Sequence, residues 1–323
     1  MSDLPSYQQL LDRDDAPAGS SWGLWGAEDV LGCLNLATPE RALRGAGLVR
    51  EGRSFGLNLD LATPDPPLYE RAELRHEVIS RRSGASDEEL SGFNTQASSQ
   101  WDGFRHVRSQ TYGHYNGLEA ERHGVHHWAR HGIVTRGVLA DIGRWRAAQG
   151  RPLRHGESDP YEPEELVACL AEQGVAPEPG DVLIINTGWL TWYRSLDAEG
   201  RAAAARVDTA CGLRGGHASA ALLWDWHVAA VATDAPGFEV SPLGVTASEE
   251  QWAALRADRT LAPSMILHAS LLPLLGMPIG ELWDLDELAD DCAADGVYEF
   301  LFTSAPLNLN QGVATPPNAL AVK

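Results

Sequence analysis

Short apolar runs bounded by turn residues recur along the chain, and they predict strands of a buried sheet. The clearest runs are rich in β-branched residues and cover positions 133–142, 181–187, 228–233 and 298–304. Positions 54–61 alternate enough between apolar and polar residues to predict a further strand. These runs supply the core of the expected fold.

Helical patterns lie between these runs. Thr38 at a cap position, Pro39 at the first helical position and Glu40 in the first turn predict a helix that begins after Thr38. Residues 162–173 are acidic early and are followed by Gly174, which predicts a second helix. Because strands and helices interleave and no repeat or linker divides the chain, we expect a single α/β domain with a mixed β-sheet.

Composition narrows the class of protein. With 323 residues, 44% of them hydrophobic, the chain can bury a full core without disulfide bonds. A formal net charge of -20 disfavours nucleic acid and anionic membranes as partners. Four scattered cysteines without a CxxC pair indicate neither a zinc ribbon nor a disulfide framework, and they favour a reducing compartment. With no signal peptide and no membrane-spanning run visible, we expect a soluble, cytoplasmic protein.

The segment 100–106, Gln-Trp-Asp-Gly-Phe-Arg-His, combines an amide, an acid and a histidine within seven residues. If it is extended, the alternation of side chains places Gln100, Asp102 and His106 on one side of the backbone and Trp101 on the other. This is a candidate reaction centre. The alternative is a local Asp–His hydrogen bond in a solvated loop, since single motif matches are often false.

Histidines concentrate just after this segment. Six of them, together with tyrosine, tryptophan and arginine, fall between positions 106 and 131: His106, His114, His123, His126, His127 and His131. Such a segment could line a pocket for an aromatic or carbonyl-bearing ligand. The alternative for each histidine taken alone is a hydrogen-bonded residue at or near the surface.

A second candidate site runs from His268 to Glu281. The apolar span between them predicts a short helix ended by Gly276, followed by a turn into another short element, so both side chains could reach one cavity. With Asp102 they would form a three-ligand site for zinc, manganese or iron. Other catalytic templates are missing from the sequence, and the glycine-rich positions 212–217 predict a flexible loop with a surface histidine.

Together these segments resemble the metal-dependent cyclase family that includes bacterial kynurenine formamidase and isatin hydrolase, and more closely its longer members. The resemblance extends over nearly the whole chain and is carried by positions 22–26, 31–39, 100–106, 115–117, 126–128, 268–281 and 316–322. It implies a swivelling β/β/α architecture, with residues 1–20 as an N-terminal arm and 21–323 as one cyclase-like domain. It also implies a homodimer or homotetramer.

The signature of this family, HxGTHxDxPxH, contains two metal-binding histidines, a metal-binding aspartate and a final catalytic histidine. In this sequence the aspartate falls on Asp102 and the catalytic histidine on His106, whereas the two metal histidines fall on Gln96 and Gln100. An amide oxygen can bind a hard cation but is a poor ligand for zinc.

The resemblance places the downstream histidine and glutamate ligands on His268 and Glu281. Three outcomes stay open. The first, which we favour, is a single divalent metal, zinc or manganese, held by Asp102, His268 and Glu281 with help from Gln100. The second is a preference for manganese or magnesium. The third is a site without metal.

The resemblance implies a metal-dependent hydrolase that cleaves an amide or cyclic amide C–N bond of a small aromatic or cyclic molecule, with His106 as general acid–base. The apolar substrate pocket would be shaped by four residues: Trp101, His126, His127 and Trp128. An alternative is a metal-free or metal-poor cyclase, dehydratase or isomerase of a natural-product intermediate, with His106 and Asp102 as its acid–base pair. A non-catalytic binding protein is the third hypothesis. In each case the expected ligand is a small molecule, neither nucleic acid nor membrane.

Overall fold

The computed structural model describes residues 4–323. Thirteen strands lie in this part of the chain: β1 (Ser54–Gly56), β2 (Arg75–Ser80), β3 (Ser86–Ser91), β4 (Gln100–Asp102), β5 (Ile133–Ala140), β6 (Pro160–Tyr161), β7 (Val182–Ile185), β8 (Gly212–Leu213), β9 (Ala230–Thr233), β10 (Ile279–Glu281), β11 (Glu299–Ser304), β12 (Ala314–Thr315) and β13 (Ala319–Val322). Nine of them form one sheet in the order β1-β13-β11-β5-β7-β9-β10-β4-β12.

The sheet is mixed. At its centre lie four strands that are parallel to one another, in the order β5, β7, β9 and β10. The outer strands on both sides pair antiparallel. Strands β2 and β3 form a separate exposed hairpin, while β6 and β8 form a short parallel pair. The predicted α/β fold with a mixed sheet is therefore confirmed.

The described residues form eleven α-helices: α1 (Tyr7–Leu11), α2 (Pro39–Ala46), α3 (His126–His131), α4 (Ile142–Ala148), α5 (Pro163–Glu172), α6 (Trp189–Ser195), α7 (Ala198–Ala204), α8 (His217–Asp225), α9 (Glu249–Ala257), α10 (His268–Ser270) and α11 (Asp286–Asp295). Short 3₁₀ turns and one π-helical turn at Leu271–Leu275 connect some of them. No helix among residues 4–323 combines the length and the apolar character needed to cross a bilayer.

The strong sequence patterns correspond to these elements. Strands β5, β7, β9 and β11 and helices α2 and α5 lie where apolar runs and cap residues predict them. Thr38 occupies the N-cap position of α2, but its side chain makes no capping hydrogen bond. The strand predicted over 54–61 ends at Gly56, and beyond it the chain makes only an isolated bridge from Asn58 to Trp283.

The segment predicted as an N-terminal arm, residues 1–20, contains α1, and residues 1–3 lie outside the described part. Tyr7 and Leu10 of α1 are buried in the main hydrophobic core. The backbone N–H of Tyr7 donates to Asp225 Oδ1 at 2.7 Å. Helix α1 is thus tied to α8, which ends at Asp225.

Candidate functional site

Three side chains that are far apart in sequence meet at one edge of the sheet. One donor atom each from Asp102, His268 and Glu281 lies within 4.8 Å of the other two, and all three residues are buried. Asp102 ends β4, Glu281 ends β10, and His268 begins α10. The structure therefore brings together the three residues predicted as metal ligands.

The pairing of β4 with β10 explains this convergence. The strands are antiparallel, with Gln100 opposite Glu281 and Asp102 opposite Ile279. Residues two apart on a strand share a face, and so do residues directly opposite on neighbouring strands. Gln100, Asp102 and Glu281 consequently project to the same face of the sheet.

His106 reaches this face through a turn. Strand β4 ends at Asp102, and the backbone N–H of His106 donates to Gly103 O at 2.8 Å, which folds the chain back. The His106 ring places Nε2 3.7 Å from Asp102 Oδ2, and its side chain is 30% exposed. The predicted proximity of Gln100, Asp102 and His106 holds, although a turn rather than a continuous strand produces it.

His268 is held by a carboxylate that the sequence analysis did not identify. Glu239 Oε1 lies 2.8 Å from His268 Nδ1 and accepts the backbone N–H of His268 at 2.6 Å. Glu239 Oε2 accepts the backbone N–H of Leu267 at 2.8 Å. These bonds leave His268 Nε2 facing Glu281 Oε1 at 3.2 Å. Glu239 therefore orients the imidazole towards the cluster.

Two amides complete the polar contacts. Gln96 Nε2 donates to Asp102 Oδ1 at 2.8 Å and lies 3.0 Å from His106 Nδ1. Gln100 Nε2 donates to Glu281 Oε2 at 2.8 Å and lies 3.4 Å from both Asp102 oxygens. The other amide atom, Gln100 Oε1, is buried without a hydrogen-bond partner among the described residues. Gln96 and Gln100, the positions at which the resemblance places metal-binding histidines, therefore both face the site, but they carry amides instead of imidazoles.

Burial and neighbouring charges shift the pKa values of the cluster in different directions. Burial raises the pKa of Asp102 to about 6, although the nearby His106 opposes the rise. Burial would lower the pKa of His268, but hydrogen bonds to Glu239 and Glu281 outweigh it and hold the pKa well above its usual range. Burial would raise the pKa of Glu281, but the hydrogen bond with His268 lowers it overall. At neutral pH the carboxylates of Asp102 and Glu281 therefore face the imidazolium of His268.

The residues present fit a divalent cation. The donors are one imidazole nitrogen and two carboxylates, with a carboxylate behind the histidine, an arrangement that fixes metal-binding imidazoles in other proteins. Gln100 Oε1 is buried without a hydrogen-bond partner among the described residues. A rotation of the amide would exchange this oxygen with the nitrogen that now faces the two carboxylates, and the oxygen could then face a cation held between them. The excess of negative charge in a buried site also favours a cation.

A cleft of about 280 Å³ opens onto the cluster. His106, His268 and Glu281 form part of its wall. The other lining residues include Tyr69, Arg71 and Pro236. Arg71 is anchored by a hydrogen bond to the backbone oxygen of Gln96. A small molecule in this cleft would contact both His106 and the metal-ligand candidates.

Trp101, predicted as a substrate contact, is not part of this cleft. Its side chain is fully buried, packs edge to face on Trp283 at 4.7 Å and donates from Nε1 to Ser304 Oγ at 3.0 Å. Strand alternation turns it away from Asp102, so within this chain it is a core residue. The prediction that Trp101 shapes the substrate pocket is corrected on this point.

The segment 126–128 also lies elsewhere. His126 Nδ1 accepts the backbone N–H of Gln311 at 3.2 Å, and His127 Nε2 lies 3.0 Å from Arg122 O. Trp128 is buried against Phe104 at 5.1 Å. The residues that line the cleft include none of these three. Within one chain His126, His127 and Trp128 stabilise α3 and its surroundings rather than form the predicted pocket.

The glycine-rich positions 212–217 include a short strand and pack closely against Glu239, whereas the sequence predicts a loop there, and this corrects a further prediction. Residues Gly212–Leu213 form β8, and a Cβ on Gly215 would lie 2.6 Å from Glu239 Oε2. His217 is exposed, as expected, and its Nδ1 lies 2.9 Å from Tyr7 Oη. The glycines allow the backbone to approach the carboxylate that orients His268.

Glu239 could have been found from one signal in the sequence. It follows the buried strand β9 after a Pro-Gly turn, and polar residues beyond the carboxyl ends of parallel strands often form binding sites. Glu239 and His268 are 29 residues apart in sequence, and this spacing matches no known motif. Spacing alone therefore does not predict that the two side chains are in contact.

Comparison with known proteins gives the family. The family described as "Putative cyclase" matches residues 54–240, more than half of the chain. A solved structure described as a novel cyclase is 30% identical, covers 94% of this chain and 99% of its own, and superposes with a TM-score of 0.75. No curated protein matches the sequence.

More distant structures share the fold. Isatin hydrolase A from Ralstonia solanacearum is 17% identical over 88% of this chain and 98% of its own, with a TM-score of 0.59. Isatin hydrolase A from Labrenzia aggregata, bound to benzyl benzoate, is 17% identical over 87% and 97%, with a TM-score of 0.53. The match over more than half of the sequence, together with the 30% identical structure, shows that the chain belongs to the family of putative cyclases.

Proposed function

We propose that this protein is a metal-dependent hydrolase that cleaves the C–N bond of an amide or cyclic amide in a small aromatic or cyclic molecule. The observation that carries the proposal is the convergence of Asp102, His268 and Glu281 within 4.8 Å, beside His106 and at a cleft. Membership of the cyclase family supports an enzyme, and the fold shared with isatin hydrolases is compatible with hydrolysis of a cyclic amide.

Asp102, His268 and Glu281 would hold the cation, with the amide oxygen of Gln100 as a further donor. When bound, a divalent metal would polarise the substrate carbonyl and lower the pKa of a water molecule bound to it. One nitrogen and several oxygen donors suit manganese better than zinc. We therefore propose manganese as the preferred ion.

His106 would move the proton. Gln96 Nε2 lies 2.8 Å from Asp102 Oδ1 and 3.0 Å from His106 Nδ1, and His106 Nε2 lies 3.7 Å from Asp102 Oδ2. The His106 ring would take a proton from the attacking water and pass that proton to the leaving nitrogen, so that it ends the reaction as the neutral imidazole it began as.

A second candidate function is acid–base catalysis without metal, as in a cyclase, dehydratase or isomerase. It is favoured by one observation: the carboxylates of Asp102 and Glu281 already accept hydrogen bonds from Gln96 and Gln100. In that case His106 and Asp102 would act as the acid–base pair on their own. The excess of carboxylates over cationic groups in the site is the reason to place this candidate second.

The test compares metal-stripped protein with protein reloaded with Mn²⁺, using formanilide and isatin as an open-chain and a cyclic amide. We expect hydrolysis of at least one compound by the reloaded protein and loss of turnover after stripping. His106→Ala, as a matched variant, should bind Mn²⁺ normally but lose about 10²–10⁴-fold in turnover. Full activity in the stripped protein would instead support the metal-free candidate, and normal turnover by His106→Ala would remove His106 from the mechanism.

The proposal includes a homodimer or homotetramer, as expected from the resemblance. Light scattering coupled to size-exclusion chromatography tests it directly. A mass of two or four chains supports this part of the proposal, and the mass of one chain contradicts it.

A further inference from the structure

We propose that the substrate carries an aromatic or medium-length alkyl group, which binds in a second compartment beside the cleft. This inference rests on the proposed hydrolase function and specifies its substrate class. The compartment, here called the apolar compartment, has a volume of about 260 Å³. Its walls include Leu68, Trp189, Trp192, Ala203, Ala204 and Val207.

The apolar compartment adjoins the cleft that contains the candidate reaction centre. Tyr69, Asp208 and Pro236 line both spaces. The cleft also contains His106 and Glu281 on its wall. A molecule whose carbonyl lies beside His106 can therefore extend past Tyr69 into the apolar compartment.

The walls of this compartment suit a ring or a hydrocarbon chain. Trp189 stacks on Tyr193 at 5.1 Å and meets Trp192 edge to face at 5.8 Å, which gives one wall of ordered aromatic rings. Helix α7 contributes the small side chains of Ala203 and Ala204, which leave the space open. Val207 is 49% exposed, so a bound apolar group would remove its side chain from water.

Tyr69 lies at the boundary in a restrained position. Its φ of 59° is in the left-handed region, which large side chains rarely adopt and which is often found at ligand sites. The Arg71 guanidinium lies over its ring at 5.1 Å, and the residue as a whole is 40% exposed. Tyr69 thus presents an aromatic surface between the reaction centre and the apolar compartment.

The volume sets the size of the substituent. A cavity of about 150 Å³ is sufficient for a benzene ring. The apolar compartment is larger, at about 260 Å³. It therefore fits a substituted phenyl ring or a chain of about six carbons, and the Asp208 carboxylate at its edge disfavours an anionic group there.

The first test measures hydrolysis of formanilide, 4-butylformanilide and 4-hexylformanilide by the full-length, Mn²⁺-loaded protein. We expect kcat/KM to rise about tenfold or more from formanilide to the hexyl compound, mainly through a lower KM, because more apolar surface is buried. Ala203→Phe and Val207→Phe fill the compartment from exposed positions, and both should abolish this gain, so that the hexyl compound is no better a substrate than formanilide. Ala198→Phe, on the exposed start of the same helix, is the matched control and should keep the gain.

The second test measures binding of 4-hexylaniline, which has no bond to hydrolyse, by isothermal titration calorimetry. Binding to the wild type and to Ala198→Phe, with at least tenfold weaker binding to both filling variants, supports the apolar compartment even if no formanilide is hydrolysed. In that event the proposed function fails and the binding site stands. Equal binding to all four proteins, or a chain-length gain that survives in both filling variants, overturns the inference.

Discussion

Glu239 holds His268 through two contacts at a single oxygen, with Oε1 at 2.6 Å from the backbone nitrogen of His268 and at 2.8 Å from its Nδ1. Both distances are short for hydrogen bonds, and Glu239 is fully buried. Nδ1 therefore carries a proton, and Nε2 is directed towards Glu281. The carboxylate determines which ring nitrogen can bind a metal.

Replacing Glu239 with glutamine should weaken metal binding without unfolding the protein. The amide keeps one oxygen for His268 but places an NH₂ group near the backbone N–H of Leu267, which Glu239 Oε2 now accepts at 2.8 Å. Loss of such a supporting carboxylate typically lowers metal affinity by about 10–100-fold. Calorimetric titration with Mn²⁺ measures the change, and Asp208→Asn in the cleft wall is the control. Wild-type affinity in Glu239→Gln would contradict the role given to Glu239.

Metal binding should release a proton. In the metal-free protein both ring nitrogens of His268 face carboxylates, and the pKa of the imidazole lies well above its usual range, so it is protonated at pH 7.5. A metal needs the Nε2 lone pair, so affinity should rise with pH, by up to about tenfold per pH unit for one proton. Below about pH 6 protonation of Asp102 should weaken binding further.

Calorimetry in buffers of different ionisation enthalpy counts the released protons. We expect about one per Mn²⁺ at pH 7.5 in the wild type. The same raised pKa stabilises the metal-free fold below the ordinary histidine value of 6.5, and this contribution is lost as the pH rises through the shifted pKa. An affinity that is independent of pH between 6.5 and 8.5 would argue against His268 as a ligand.

Gln100 should determine which metal is preferred. It is 1% exposed, its Oε1 has no partner among the described residues, and its amide nitrogen faces Glu281. Gln100→His restores a nitrogen donor at this position, and the affinity for Zn²⁺ relative to Mn²⁺ should rise by about tenfold or more, a change of about 1.4 kcal/mol. Gln100→Leu, which fills a similar volume without a donor, is the control. Competition titrations compare the two ions, and an unchanged ratio in Gln100→His would place Gln100 outside the coordination sphere.

Trp101 should affect stability rather than substrate binding. Its ring is buried against Trp283, and its Nε1 donates to Ser304. Trp101→Ala should lower the free energy of unfolding by about 3–5 kcal/mol, as for other large-to-small substitutions in a core. Urea unfolding measures this loss, with Trp101→Phe as a milder variant. A raised KM with unchanged stability would return Trp101 to the substrate pocket.

The central strands could be predicted because the local sequence of each is enough to indicate a buried strand. The apolar runs at β5, β7, β9 and β11 give each strand to within two residues at either end. Strands buried on both faces need continuous apolar residues, so the signal is strong. Helices α2 and α5 could be predicted as well, because proline and acidic residues mark the first turn of each.

The candidate site could be predicted only in part. The resemblance placed Asp102, His268 and Glu281 in one site, and the structure brings them together. The position of Glu239 depends on how the chain packs after β9, which no local pattern encodes. The aromatic character of Trp101 and Trp128 indicated a pocket, whereas pairing of β4 and packing of α3 turn both side chains into the core. Which face a short segment buries is decided by tertiary contacts.

The most direct measurement is anomalous diffraction, above the manganese absorption edge, from crystals of the Mn²⁺-loaded protein. We predict one strong peak per chain between Asp102, His268 and Glu281, at about 2.0–2.3 Å from His268 Nε2 and from a carboxylate oxygen of each acid, as expected for first-row divalent metals. Absence of a peak at this position, with His268 still paired to both Glu239 and Glu281, would contradict the account.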